Sequence, residues 1–295
     1  MRYFIASLLI LILALTACRQ TVNLVPAYPG DQPVMTAFLT PDSTLTVWLT
    51  LTIPALTPNE LDTIPRIEDA EVWILRDGDT LEALPHAGDG YYRSPQGLPA
   101  EAGGSYRFVA LLTNGDTLTH LPVEVPPAVP LRLLGYEPEG FRFGNGQVTD
   151  LLRIAFDDPA GAGEYYQGQV RPLEAPREFI NVFNLASQES QPEGCQPYAG
   201  LFPDLCFDGQ RQEWGFRVEP TYFDDSLRQQ VRADSLLVSL NTWSESYFLM
   251  TQSDPRGQDG IEQIFFRTET RYTNVQGGFG IVVARNQTEL RVATE

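Results

Sequence analysis

The sequence predicts a mainly all-β fold, built as two consecutive antiparallel β-sandwich-like domains, the second with one or two short helices. Three observations predict it. Residues 44–52 read Thr-Leu-Thr-Val-Trp-Leu-Thr-Leu-Thr, an alternation that puts Leu45, Val47, Leu49 and Leu51 on one face of a half-buried strand. Asp77-Gly78 and Asn114-Gly115 punctuate further apolar runs with tight hairpin signals. Beyond Cys18 the chain is longer than one hydrophobic core usually serves, so two domains are expected.

Taken in order, residues 1–17 read as a lipoprotein signal peptide. Arg2 precedes an apolar run from Tyr3 to Leu15 that is too short to span a bilayer and ends at Thr16-Ala17-Cys18. A thiol at the first mature position can take a diacylglycerol, so Cys18 is the expected lipidation site. An ordinary secretory signal with a chance Cys, or a transmembrane helix, is the alternative. Acyl chains contribute roughly 0.8 kcal/mol per buried methylene, so a multiply acylated Cys18 holds the chain at a membrane. Residues 18–40 form the lipidated tether and first strand, and 41–126 an immunoglobulin-like sandwich. Within the latter, Ala70 to Leu75, Tyr106 to Leu112 and Thr117 to Val125 read as strands. Proline cannot donate to a sheet ladder, so 127–130 is the linker.

Residues 131–295 form the second β-rich domain. Strands are expected at Leu151 to Phe156, Tyr165 to Val170, Glu213 to Val218, Leu236 to Leu240 and Ile264 to Phe266. Asp224 to Asp234 reads as a short helix or a polar loop. Ser244 to Ser253 is the best helix, with Ser244 as N-cap and Trp243, Tyr247 and Met250 on one side. A strand from Tyr272, a turn at Gly277-Gly278-Phe279-Gly280 and a final strand close the chain. Cys195 and Cys206 lie close together in a Pro/Gly-rich segment of an exported chain, which reads as a disulfide-closed loop. A metal pair is the alternative, and it lacks nearby His partners.

Composition excludes several mechanisms. All 20 basic residues are Arg, so neither a P-loop lysine nor a Schiff-base amine is present. Losing Arg2 with the signal leaves 19 basic against 38 acidic residues, a formal charge of −19. So acidic a surface repels phosphate, and nucleic acid is not an expected partner. Either a cationic partner or simple solubility explains the charge.

Chemistry-bearing constellations are scarce. His86 and His120 have no metal-ligand spacing or companion nucleophile, and Arg107 stands where a nucleophile elbow needs glycine. Asp157-Asp158 and Asp224-Asp225 lack the spaced acidic ladder of a calcium loop and read as turns or caps. Gly144-Asn145-Gly146 and the Gly277 block lack the third glycine of a dinucleotide loop. Of each pair Tyr91-Tyr92, Tyr165-Tyr166 and Phe265-Phe266, one ring should point outward, where it could stack on a sugar or anchor a partner. Asp followed by Ser or Thr and then an aliphatic or small residue recurs at Asp42, Asp62, Asp79, Asp116, Asp225 and Asp234. It reads as strand entry or as an O-glycosylation signal.

The order Cys18, Asp69-Ala70-Glu71-Val72, Gly90-Tyr91-Tyr92, Gly104-Ser105-Tyr106-Arg107-Phe108, Val125-Pro126, Glu164-Tyr165-Tyr166, Tyr247-Phe248 and Asn274-Val275-Gln276-Gly277-Gly278-Phe279-Gly280 resembles the lipoproteins of Bacteroidota grouped as domain-of-unknown-function family 4249. The C-terminal Asn-x-x-Gly-Gly-x-Gly block is the most specific part, and the Cys195/Cys206 loop is not part of the pattern. The resemblance implies an outer-membrane lipoprotein encoded beside a TonB-dependent transporter, with no catalytic residues to carry over. The expectation is a non-enzymatic accessory or ligand-capture partner of such a transporter, without catalytic residues, metal or cofactor. A surface glycan hydrolase with paired carboxylates, or a structural envelope component, is the alternative. Arg19 after the lipid Cys is not the inner-membrane retention cue, so the outer membrane is expected, and the cell surface is favoured over the periplasmic face.

Overall fold

The computed structural model describes residues 28, 30–54, 64–144, 146–161, 163–174, 182–184, 195, 197–224, 227–253 and 272–294. Cys18, the signal segment, Asp62, Asp225 and the strand expected at Ile264 to Phe266 lie outside them. The fold is mostly β, with several antiparallel sheets and one α-helix among the described residues.

The first half contributes β1 (Pro33–Leu39), β2 (Thr46–Leu51), β3 (Glu71–Arg76), β4 (Asp79–Leu84), β5 (His86–Gly88), β6 (Tyr91–Arg93), β7 (Ser105–Leu111), β8 (Thr117–His120) and β9 (Val123–Glu124). The alternation in residues 44–52 does what its period predicts. Leu45, Val47 and Leu49 are buried, while Trp48 points the other way. Both hairpin signals sit where the chain reverses, β3 to β4 at Asp77-Gly78 and β7 to β8 at Asn114-Gly115. Asp77 and Gly78 both have positive φ, the condition of a tight primed turn.

The second half contributes β10 (Arg132–Arg142), β11 (Val148–Asp157), β12 (Tyr165–Pro172), β13 (Val182–Asn184), β14 (Phe202–Pro203), β15 (Arg211–Val218), β16 (Thr221–Asp224), β17 (Gln229–Arg232), β18 (Ser235–Trp243), α1 (Glu245–Gln252), β19 (Val275–Gln276) and β20 (Phe279–Ala293). A short 3-10 turn spans Asp204–Cys206. The segment read as a helix or polar loop is instead largely a hairpin, β16 against β17. Ser244 does stand at the N-cap of α1, but its hydroxyl does not cap it. Oγ accepts from the N–H of Ala284 at 3.0 Å, and the carbonyl of Ser244 accepts from Tyr247. The hydroxyl ties the helix to β20 rather than capping its first turn.

Two cores result. The first lies between a six-stranded sheet, β19-β8-β7-β3-β4, with β9 on β7, and the β1, β2 and β6 portion of an eight-stranded sheet. The second packs a four-stranded sheet, β10-β11-β15-β13, on the β12, β18 and β20 portion of that same sheet. Val125 belongs to the first core and Val129 to the second, so the proline segment carries the chain between them.

The expected segments 41–126 and 131–295 nevertheless do not coincide with the cores. Residues 279–284 of β20 run parallel to β1, residues 285–293 run antiparallel to β18, and β19 pairs with β8. Val275, Val282 and Ala284 pack in the first core, and Val292 in the second. The apolar alternation of β20 is long enough to serve both cores, and it joins them.

Candidate functional site

Because side chains alternate along a strand, burial of one face of the eight-stranded sheet turns the other face outward. On β1 that face carries Thr36 and Phe38, on β2 Thr46 and Trp48, and on β6 Tyr91 and Arg93. The register continues it across Arg285, Gln287 and Glu289 of β20, opposite Trp243, Asn241 and Ser239 of β18. Those three face Tyr165, Gln167 and Gln169 of β12. Residues distant in sequence therefore form rows of aromatic, amide and charged side chains on one surface.

Two adjoining grooves lie on it. The first, about 600 Å³, is lined by Asp42, Gln169, Arg171, Ser239, Arg285, Gln287 and Glu289. The second, about 510 Å³, runs over Thr36, Phe38, Thr46, Trp48, Tyr91 and Arg93. They meet where the Arg285 guanidinium lies 5.1 Å from the Phe38 ring and 5.4 Å from that of Trp243. Burial pulls the Arg285 pKa down, opposed by the nearby charge of Asp42. Helix α1 packs on the same face, with Tyr247 stacked on Trp243 at 3.6 Å and Phe248 on Tyr165 at 4.2 Å. Several side chains of this face bond to one another. Trp243 Nε1 donates to Gln167 Oε1 at 3.2 Å, and Glu289 accepts from Gln287 at 2.8 Å and Arg171 at 3.1 Å.

Few residues singled out by sequence meet here. Tyr91 is 40% exposed and reaches the second groove, while Tyr92 is buried, so the pair divides between faces as expected. Cys195 and Cys206 are bonded, with Cα atoms 5.7 Å apart, away from either groove's lining. His86 starts β5, where Nε2 accepts from the Gly90 N–H. Among the Asp-Ser/Thr positions, Thr80 and Thr117 are exposed, but Ser235 is buried and closed to a glycosyl group. Phe38, Gln169, Arg285 and Gln287 were not foreseen. Only the polar residues at alternate positions of β12 and β20 hinted at them.

His120 is structural. It is buried in β8, where Nε2 accepts from Phe108 N–H at 2.8 Å and Nδ1–H donates to the Leu121 carbonyl at 2.5 Å. Burial lowers its pKa from 6.5 to about 4, against the Leu121 hydrogen bond, which raises it. The unfolded chain therefore takes up a proton near pH 6.5 that the folded chain refuses. His120's contribution is complete above pH 6.5 and lost as the pH falls to about 4, on the order of 3 kcal/mol. The stability difference between the wild-type chain and His120→Gln, read from urea midpoints, is expected to shrink from pH 7 to pH 4. A gap independent of pH would contradict the assignment.

Carboxylates do gather elsewhere. Asp204 accepts from the N–H groups of Gly163 and Glu164, and Asp158 from Tyr166 Oη at 2.5 Å and Gly209 N–H at 2.8 Å. Burial and the hydrogen bond to Asp204 hold the Glu164 carboxyl well above the usual carboxylate range. Asp204 pins the backbone of Gly163 and Glu164 to the 3-10 turn. Asp157, the partner half of its predicted pair, turns outward and bonds Arg132. Among the described residues no three His, Cys, Asp or Glu are grouped to hold a metal ion.

A family model described as a domain of unknown function (DUF4249) matches residues 21–291. The chain belongs to this family. The match takes in the first core, the second core except Val292, and every groove-lining residue of this DUF4249 member. No curated protein matches the chain.

Proposed function

We propose that this DUF4249 protein is a non-catalytic, lipid-anchored protein of the outer membrane. In this reading it captures a ligand on the outward face of its long sheet as accessory to a TonB-dependent transporter. The observation that carries it is the pair of adjoining grooves, which offer aromatic rings, amides and hydroxyls; the Ser239 hydroxyl donates to Glu289 at 3.4 Å, but that carboxylate already accepts from Gln287 and Arg171. A rigid sheet holds those side chains in fixed rows, which suits recognition rather than bond breaking. The Cys18 motif supplies the anchor, and the family resemblance supplies the transporter. Localisation at the cell surface would leave the grooves open to external ligands.

Purification from native membranes through a tag after Glu295 tests the assembly. A β-barrel partner is expected to copurify in mild detergent. Recovery of the lipoprotein alone would remove the transporter from the proposal.

A further inference from the structure

Arg285 is the group on the outward face whose chemistry the fold leaves unused. Its Nε is buried without a hydrogen-bond partner. Its guanidinium lies over the rings of Phe38 and Trp243, at the junction of the grooves. Beneath the same floor Asn241 is fully buried, and neither its amide oxygen nor its nitrogen has a partner. Buried polar groups are ordinarily satisfied, so two such side chains on the neighbouring strands β18 and β20 mark a surface that is incomplete by itself.

The lining narrows what could complete it. Asp42 and Glu289 oppose Arg171 and Arg285, so the first groove carries no net formal charge. A phosphate or carboxylate would face the two acids, and a cation would face the two arginines. A hydroxyl suits both, because it accepts from guanidinium and amide N–H and donates to carboxylate and amide oxygen. The Phe38 and Tyr91 rings, 40% exposed each, offer apolar surface for the C–H face of a ring. An extended peptide is recognised by adding a strand at a sheet edge. Here the grooves lie over interior strands, while the edges of the sheet are β14 and β5.

Resting on the ligand-capture reading, we infer that the outward sheet face binds an uncharged oligosaccharide. One part of it hydrogen-bonds to Arg285, Gln287 and Gln169, and its continuation lies over Phe38 and Tyr91.

Calorimetry and tryptophan fluorescence of the full-length protein in detergent test this with linear hexasaccharides of glucose, mannose, xylose and galactose. At least one is expected to bind. Arg285→Met keeps an apolar arm between the two rings but removes the donors, and should weaken that sugar at least about tenfold with no loss of melting temperature. Gln169→Ala, on a neighbouring strand, gives a second reading should Arg285→Met fold poorly, and should also weaken binding. Silence across the whole panel overturns the inference, as does binding that both variants leave intact. Binding of an unstructured peptide in place of the sugars overturns the ligand class and leaves ligand capture standing. Sugar binding without a copurifying β-barrel has the opposite meaning: the inference stands and the transporter partnership falls.

Discussion

Gly280→Ala is expected to leave little or no folded chain, a loss above about 4 kcal/mol, which is exceptional for one added methyl group. Gly280 lies where β20 runs beside β1, with φ at +121°, and a Cβ there would sit 1.9 Å from the carbonyl oxygen of Met35. Positive φ alone costs an alanine roughly 1 kcal/mol. The clash is worse, because the obstructing atom is backbone in a strand whose side chains fill the first core. The neighbouring glycines are just as confined. A Cβ at Gly277 would lie 2.2 Å from the Thr117 carbonyl oxygen, and at Gly278 2.3 Å from that of Pro33. The block does more than turn the chain. Here the backbone leaves the six-stranded sheet beside β8 and enters the eight-stranded sheet beside β1, threading between the two. Gly278→Val should therefore fail as Gly280→Ala does. Gly135→Ala, with negative φ and nothing within 4 Å, should be nearly neutral. Soluble yield and urea midpoint of the chain without residues 1–18 decide it. A folded Gly278→Val that has lost only its partner would make the block an exposed recognition loop.

What could be read from sequence was local. Residues 44–52 announced β2 because one face is apolar and the other is threonine. Residues 244–253 announced α1 because Ser244 stands at an N-cap position and Trp243, Tyr247 and Met250 fall on one side. The β16–β17 hairpin stayed hidden because Gln229, Gln230 and Arg232 are exposed and leave Val231 as the sole apolar residue of its strand. The role of β20 stayed hidden for a different reason. Nothing in the spacing of Phe279 to Ala293 says that its first half pairs with a strand near the opposite end of the chain. The grooves share that cause. Phe38, Gln169, Asn241 and Arg285 come from four strands, and only the register brings them together. Ser244 shows the limit even at a correctly placed helix start, since its hydroxyl serves a tertiary neighbour instead of the cap.

Trp214→Ala should cost about 4 kcal/mol, and the loss should be felt in both cores. Trp214 is 3% exposed on β15, with ring centroids 4.6 Å from Phe202, 5.1 Å from Phe156 and 6.4 Å from Phe216. Gly168 lies close beneath these rings, for a Cβ there would meet Phe216 at 2.6 Å. A neighbourhood so tightly packed on backbone cannot collapse into the space an indole leaves, so the cavity penalty adds to the lost burial. If the two cores were independent, only the second would loosen. The path of β20 argues otherwise. Freeing residues 285–293 from β18 would also release Ala284 from Ser244 and leave the parallel pairing with β1 anchored at one end only. One cooperative transition is expected, shifted to lower urea. Hydrogen exchange should show β7 in the first core and β18 in the second losing protection by similar amounts. Wild-type protection of β7 beside an open β18 would show that the shared strand does not couple the cores.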